Sequence, residues 1–286
     1  MVMVSPVQLL IAALLILAAG APALAQGHGP AFGLSTPTLG KGGWSVDVAA
    51  MSRIVGDREL LMIRPMVSYG FTEDLQLSAS FPMPLYVPQG TPPAHGMSRM
   101  PTSPDVEFLL GWRFHRLGTD IGSRVESTVY VGFDYPTDPI RAGVRTSPGL
   151  YGALVTGYAS RTVYAWAGAL YRRSMSPVGE TADHIGDVAM YSLVLGYRPP
   201  AFRRDFPHPD WRVFVEAVGE RSAKDVIAGV EQPNTGGHQI FVGPTLLGLY
   251  GSWGISGGPV FPVYRDVNGV QPREKMRLVV NTTFWF

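Results

Sequence analysis

The final residues of the chain, Met276 to Phe286, alternate between two kinds of side chain. Every second position counted back from Phe286 is mostly apolar, whereas the positions between them are mixed and include Arg277 and Asn281. Alternation with a period of two residues is typical of a β-strand whose two faces meet different environments. This stretch therefore predicts a β-strand with one apolar face and one mixed face.

The same alternation recurs along the chain in about a dozen segments of roughly 10–13 residues, the length that a tilted strand needs to cross a bilayer. These segments are 43–54, 59–70, 75–86, 104–116, 123–135, 149–159, 162–173, 188–198, 210–221, 238–249, 253–264 and 275–286. No apolar run near 18 residues follows residue 26, so alternation spreads the apolar residues, 46% of the chain. The sequence predicts an all-β fold, an antiparallel transmembrane β-barrel of about 12 strands.

The first residues have the pattern of a secretory signal peptide. An uncharged apolar run covers Leu9 to Ala19, and Ala23-Leu24-Ala25 is a small-x-small cleavage site, although no Lys or Arg precedes the run. We predict that residues 1–25 are removed, that 26–42 form a periplasmic N-terminal segment, and that 43–286 form the barrel.

The connections between predicted strands alternate in length. Tight turns follow the second, sixth and tenth segments, and long polar connections follow the third, fifth, seventh and ninth. Short turns face the periplasm in outer-membrane barrels, so we predict that both termini are periplasmic. The long connection 199–209 and the short one 55–58 depart from this rule. Prolines 65, 244 and 259 also fall within predicted strands, where they indicate bulges or strand ends.

Charged residues should point into the barrel, because a charge on the lipid face costs about 2–4 kcal/mol near the bilayer midplane. The alternation places His115 on the same face as Arg113, and the hairpin through 117–122 predicts an ion pair between Arg113 and Glu126. Such residues could line a polar passage or fill the interior with ion pairs, and both readings remain open. The predicted lumen-lining residues are Arg64, Glu107, Arg113, Arg124, Glu126, Arg212, Glu216 and Arg277.

Composition and motifs limit the chemistry. A net charge of +1 gives no basic excess for a nucleic-acid partner, and the absence of cysteine excludes disulfides and thiolate metal sites. His95, Met97 and Met100 form a candidate copper or silver site, because imidazole and thioether groups suit these metals. The sequence contains no Gly-x-Ser-x-Gly elbow and no evident Ser–His pair, so we expect no enzyme activity and no cofactor.

Three stretches resemble the outer-membrane family of transporters named for the meta-pathway of phenol degradation. They are Gly29-Pro30-Ala31-Phe32-Gly33 with the following 36–38 and 43–45, Val67-Ser68-Tyr69-Gly70-Phe71-Thr72, and the stretch from Tyr191-Ser192-Leu193 through Gly196-Tyr197-Arg198-Pro199-Pro200. The resemblance implies an outer-membrane channel for small solutes, including hydrophobic or aromatic ones, and it supplies no binding or catalytic residues.

The expected partners are outer-membrane lipids, a small solute, and the barrel-assembly machinery. The last of these would read the strand ending at Phe286, which resembles the closing strand of bacterial outer-membrane barrels. Two alternatives stay open: a barrel associated with copper or silver tolerance, and an outer-membrane lipid or ester hydrolase.

Overall fold

The structure is a computed structural model that describes residues 29–86, 105–137, 140–141, 144–145, 148–175, 184–203 and 208–286. The predicted signal peptide and the candidate metal ligands His95, Met97 and Met100 lie outside these described residues. Within the described ranges, no helix is long and apolar enough to cross a membrane.

Seventeen strands and one short 3-10 helix, Pro200–Phe202, make up the described secondary structure. The strands are β1 (Trp44–Val55), β2 (Arg58–Gly70), β3 (Leu75–Ser80), β4 (Met83–Tyr86), β5 (Val106–Asp120), β6 (Ser123–Tyr135), β7 (Ile140–Arg141), β8 (Val144–Arg145), β9 (Gly149–Ala159), β10 (Val163–Ser174), β11 (Val188–Tyr197), β12 (Asp210–Ser222), β13 (Val226–Ile227), β14 (Val230–Glu231), β15 (Gly237–Tyr250), β16 (Trp253–Val267) and β17 (Glu274–Trp285). Two-residue pairs, β7 with β8 and β13 with β14, lie in connections.

The remaining strands close into an antiparallel barrel. β3 and β4 both pair with β2 and together occupy one of twelve positions around the barrel. The ring closes where β17 pairs with β1, and the backbones of Trp44 and Phe286 exchange hydrogen bonds of 2.8 and 3.1 Å there. Closure satisfies backbone groups that an open sheet edge would expose to lipid. The predicted all-β barrel of about 12 strands is confirmed.

The two rims of the barrel differ in their connections. The turn rim carries both Trp44 and Phe286 and the connections 71–74, 121–122, 160–162, 198–209 and 251–252. The loop rim carries the connections 56–57, 87–105, 136–148, 175–187, 223–236 and 268–273. Four of the five turn-rim connections are therefore short, and most of the loop-rim connections are long.

The prolines sit where the hydrogen-bond ladders are interrupted. β3 gives way to β4 opposite Pro65, whose carbonyl accepts a 2.9 Å hydrogen bond from the backbone N–H of Phe81. Pro244 and Pro259 share one gap in the ladder between β15 and β16, where the pairing skips from Val242 to Leu246. A residue without an N–H donor is tolerated at such breaks, even in a barrel without edges.

Alternation along the strands separates an apolar exterior from the interior. In β9, Tyr151, Ala153 and Val155 are buried, whereas Leu150 and Leu154 are about half exposed. Large apolar side chains recur at exposed positions on neighbouring strands, among them Val131, Leu193, Leu195, Val215, Leu246 and Phe261. An exterior of this kind suits contact with acyl chains.

Candidate functional site

The barrel interior contains part of its own chain. Residues 29–39, hereafter the inner segment, enter at the turn rim and cross the interior from β3 toward β12. Near the rim, the N–H of Leu39 donates to Gln76 Oε1 at 2.7 Å. Gly70 permits this entry, because a Cβ at that position would lie 2.2 Å from the carbonyl oxygen of Gly40.

The middle of the inner segment is bound by polar side chains of the barrel wall. Thr36 donates its hydroxyl to Glu126 at 3.2 Å and accepts a 3.1 Å hydrogen bond from the indole N–H of Trp166. The carbonyl of Thr36 accepts a hydrogen bond of 2.6 Å from the hydroxyl of Thr128. These contacts satisfy the carbonyl and the hydroxyl of a buried residue, so they fix the segment in one position.

The far end of the inner segment binds one carboxylate. The backbone N–H groups of Ala31, Phe32 and Gly33 donate to Glu216 at 2.7, 2.8 and 2.7 Å. Thr245, on the neighbouring strand β15, donates its hydroxyl to the same carboxylate. Glu216 is completely buried, and no cation of the described residues forms an ion pair with it. Successive N–H groups that converge on an anion form a nest, and this nest takes the place of a counter-ion.

A second set of charges forms a buried network near the loop rim. Arg277 is paired with Glu220 at 2.5 Å and with Glu274 at 2.6 Å, and Glu274 also binds Arg53 at 2.8 Å. The guanidinium of Arg277 lies 3.8 Å from the ring centroid of Phe241. Three strands, β1, β12 and β17, contribute these residues, so the network joins opposite ends of the sequence across the barrel seam.

A third cluster lies near the turn rim around Glu126. Its carboxylate is 3.1 Å from Arg113 and 2.9 Å from Arg124, and Arg113 also pairs with Asp74 at 2.8 Å. The predicted Arg113–Glu126 ion pair is therefore present. Its register differs from the expectation, because Arg113 lies opposite Thr128 and Arg116 lies opposite Glu126.

A bulge at Phe114 explains that difference and corrects one prediction. Phe114 has no partner in β6, so the alternation of β5 shifts by one residue beyond it. His115 then lies opposite Ser127 and is exposed, rather than sharing the inner face with Arg113. The sequence alternation alone contains no signal for this shift.

The other predicted lumen-lining residues occupy separate places. Arg64 pairs with Glu107, and both also contact Ser80. Arg212 pairs with Asp210 at 3.1 Å and lies 5.1 Å from the ring centroid of Tyr164. The structure therefore distributes the eight residues among five places: the Glu126 cluster, the Arg277 network, the Arg64–Glu107 pair, the turn-rim side chain of Arg212, and the nest at Glu216. Among the eight, only Glu216 accepts hydrogen bonds from backbone N–H groups of the inner segment.

A cavity of about 290 Å³ lies between the inner segment and the wall. Arg64, Glu220 and Arg277 contribute charged groups to its lining. Most of the other lining residues are apolar, including Phe32, Leu34, Met51, Met66, Leu109, Met190, Val218, Phe241 and Val260. A space of this size and character can hold a small organic molecule in contact with a few polar groups.

The described residues contain no group of three or more His, Asp or Glu side chains arranged to hold a metal ion. His238, with its Nε2 2.8 Å from the hydroxyl of Tyr191, lies on the barrel exterior and not at the cavity. The site is therefore built from ion pairs, hydrogen-bond donors and apolar surface.

Sequence reasoning assigned residues 26–42 to the periplasmic side without giving them a place in the barrel. One sequence feature that could have indicated a bound segment is Glu216, an inward-facing carboxylate on a strand whose neighbouring strands offer it no cation. A buried carboxylate needs donors, and Ala31, Phe32 and Gly33 supply them from a segment outside the predicted strands.

No family model matches this chain, and no curated protein matches it by sequence. Solved structures do match. The COG4313 outer membrane channel from Pseudomonas putida F1 aligns with a TM-score of 0.54 and 12% identity, covering 88% of this chain and 98% of that one. LpxR from Salmonella typhimurium aligns with a TM-score of 0.43 and 10% identity, covering 85% and 100%. OccAB4 from Acinetobacter baumannii aligns with a TM-score of 0.39 and 12% identity, covering 83% and 57%. The first of these similarities shows that the chain has the fold of an outer-membrane β-barrel channel.

Proposed function

We propose that this protein is an outer-membrane channel for small solutes and that the inner segment closes it in the state described here. The observation that carries the proposal is the way the inner segment is held. Noncovalent hydrogen bonds fix it, and its far end depends on a single carboxylate, Glu216. Each of the three bonds to this charged group contributes about 1.5–3 kcal/mol, and a closure held by such bonds can be reversed without breaking a covalent bond.

The cavity beside the inner segment supports a preference among solutes. Methionine and aromatic side chains, including Met51, Met66 and Phe241, provide adaptable apolar surface, and Arg64 and Gln76 offer hydrogen-bond donors. We infer that the channel accepts small hydrophobic or aromatic molecules that carry a polar group. The ion pairs around this space, including that of Arg64 with Glu107, would hold the barrel wall in shape while the polar groups at its surface contact the solute.

The orientation follows from the two rims. We propose that the loop rim faces the outside of the cell and the turn rim faces the periplasm, as in other barrels with short periplasmic turns. Solute would enter at the loop rim and leave past the inner segment. We also infer that β17, which closes the barrel seam against β1, is the strand that the assembly machinery recognises.

A disulfide lock tests the role of the inner segment. The chain contains no cysteine, so a pair introduced as Leu34→Cys and Ser192→Cys can form only one disulfide. Ser192 Oγ lies 3.1 Å from the backbone nitrogen of Leu34, which brings the two positions close together. Purified protein is reconstituted in liposomes, and uptake of neutral aromatic and aliphatic solutes is measured before and after reduction.

We expect uptake to be low in the oxidised form and to return to the wild-type level after reduction. The two single-cysteine variants serve as controls, because reduction should not change their uptake. Equal uptake by the oxidised and reduced double variants would contradict a gating role of the inner segment. Failure of folded wild-type protein and of a variant lacking residues 29–39 to pass any solute or ion would contradict the channel itself.

A further inference from the structure

Two arginines interrupt the apolar exterior at the loop rim. Arg173 and Arg221 are each the penultimate residue of a strand, β10 and β12. Both are exposed and point outward, since their neighbours Ser174 and Ser222 are buried on the inner face. Neither arginine forms an ion pair with any other residue that the structure describes.

The pairing of the strands places these arginines close together. Tyr171, Ala189 and Arg221 are successive partners across β10, β11 and β12, and Arg173 lies two residues beyond Tyr171. With strands about 4.8 Å apart and residues about 3.3 Å apart, the two arginine Cα atoms are roughly 12 Å from each other. Ala189 lies between them, and its small side chain leaves space in which the two long arginine side chains can approach the same ligand.

Aromatic residues lie directly beside this pair on the exterior. The hydroxyl of Tyr191 is 2.8 Å from His238 Nε2, and the rings of His238 and Tyr264 are 5.1 Å apart. The ring of Tyr191 lies over Gly219, where a Cβ would come within 2.0 Å of it. Exposed tyrosines at the end of a barrel wall mark the level of the lipid headgroups. The two arginines therefore lie at, or just outside, that level.

Neither of the two described carboxylates nearest these arginines, Asp187 and Asp266, forms an ion pair with them. Asp187 accepts hydrogen bonds from the Tyr171 hydroxyl at 2.7 Å and from the Ser174 N–H at 2.9 Å. Asp266 is separated from Arg221 by His238, which pairs with Arg221 on one side and with Asp266 on the other. By contrast, two lysines at the same rim, the half-buried Lys224 and the exposed Lys275, each pair with an acidic residue within 3.2 Å. Among the described residues, no carboxylate occupies the guanidinium groups of Arg173 and Arg221, so these groups can bind an external anion.

We propose that Arg173 and Arg221 bind the phosphate groups of an anionic glycolipid in the outer leaflet, of the lipid A type. A guanidinium can bind a phosphate through two parallel N–H donors, which makes arginine better suited than lysine to this task. The neighbouring tyrosines pack beside the sugar and upper acyl region of the same molecule. The site is separate from the barrel interior and does not depend on solute passage, but it rests on the proposed orientation in which the loop rim faces the outside of the cell.

Binding of bisphosphorylated lipid A to detergent-purified protein tests this proposal. Affinity is measured by native mass spectrometry with lipid A, with enzymatically dephosphorylated lipid A, and with phosphatidylglycerol. The double variant Arg173→Gln with Arg221→Gln is compared with Arg161→Gln. The control arginine is likewise exposed and without an ion pair among the described residues, but it lies in a turn-rim connection.

We expect the double variant to bind lipid A at least about tenfold more weakly, since each lost charged hydrogen bond weakens binding by that order. The control variant should bind like the wild type, and dephosphorylated lipid A should bind both proteins equally weakly. Equal losses in the double variant and in Arg161→Gln would overturn the assignment of the site. Equal affinity of the wild type for lipid A and phosphatidylglycerol would overturn the assignment of the ligand.

Discussion

Replacement of Glu216 by Gln tests how the barrel interior is closed. The glutamine has nearly the same shape as the glutamate, but it carries no charge and presents an NH2 group where one carboxylate oxygen stood. Gly33 and Phe32 both donate to one oxygen of Glu216, and Ala31 donates to the other. In the variant, at least one of these N–H groups faces a donor, and the remaining bonds become neutral.

The magnitude follows from these three bonds. A hydrogen bond to a charged group contributes about 1.5–3 kcal/mol and a neutral one about 0.5–1.5 kcal/mol. Two weakened bonds, at about 1.2 kcal/mol each, and one lost bond, at about 2.2 kcal/mol, together reduce the binding of the inner segment by roughly 4–5 kcal/mol. Since about 1.4 kcal/mol corresponds to a factor of ten in an equilibrium constant, the open population should rise about a thousandfold.

Single-channel recording in planar bilayers measures this population as open probability. Thr245→Val is the matched control, because it removes a hydrogen bond to Glu216 from the barrel wall and not from the inner segment. That bond can form whether the segment is bound or released, so we expect a much smaller change in open probability. Both variants should keep the mobility of the folded barrel in unheated gels.

An open probability that stays at the wild-type level in correctly folded Glu216→Gln protein would show that the bonds to Glu216 do not hold the barrel closed. So would an equal increase in Thr245→Val, because the effect would then come from the wall and not from the bonds to the inner segment. The experiment also tests the nest, because the N–H groups of Ala31, Phe32 and Gly33 are the only described groups of the inner segment that bind this carboxylate.

Three further predictions concern the wall and the entry of the inner segment. Gly70→Ala should raise conductance, because its Cβ would lie 2.2 Å from the Gly40 carbonyl oxygen and would displace the chain where the inner segment enters. Gly118→Ala, whose Cβ would have nothing within 4 Å, should leave conductance unchanged. Arg277→Met leaves Glu220 without its cation and should lower the free energy of unfolding by about 3–5 kcal/mol in urea titrations, whereas Lys275→Ala, at an exposed ion pair, should change it little. Leu154→Arg, on the exterior of β9, should lower the free energy of unfolding by about 2–4 kcal/mol in the same measurement in lipid vesicles. If the variant is as stable as the wild type in vesicles, Leu154 does not contact lipid.

The strands could be predicted from the sequence because their signal is local. β6, for example, spans Ser123–Tyr135 and β9 spans Gly149–Ala159, both as the alternation predicts. The polarity of each residue in such a strand indicates which face of the barrel it lies on, because a charge on the lipid face is strongly destabilising. The position of Glu126 and Arg113 within ion-pair distance also followed from this reasoning.

The places where prediction failed depend on single interruptions of that pattern. The unpaired Phe114 places His115 on the exterior, whereas strict alternation predicts it on the inner face beside Arg113. The prolines were expected at bulges or strand ends, yet Pro244 and Pro259 lie within long strands, opposite one another in a shared ladder gap. Such features arise between strands, so the composition of one strand cannot reveal them.

The alternation of side chains is enough to predict a closed, two-sided β-structure, because a period of two residues and the cost of charges in lipid favour that arrangement. The contents of the barrel, by contrast, emerge only in the folded molecule. The inner segment binds Glu216 across 183 to 185 residues of sequence, and Arg277 joins Glu220 across 57. Contacts over such separations depend on strand register and on the space left inside the closed ring, and neither quantity is encoded in the local pattern of side chains.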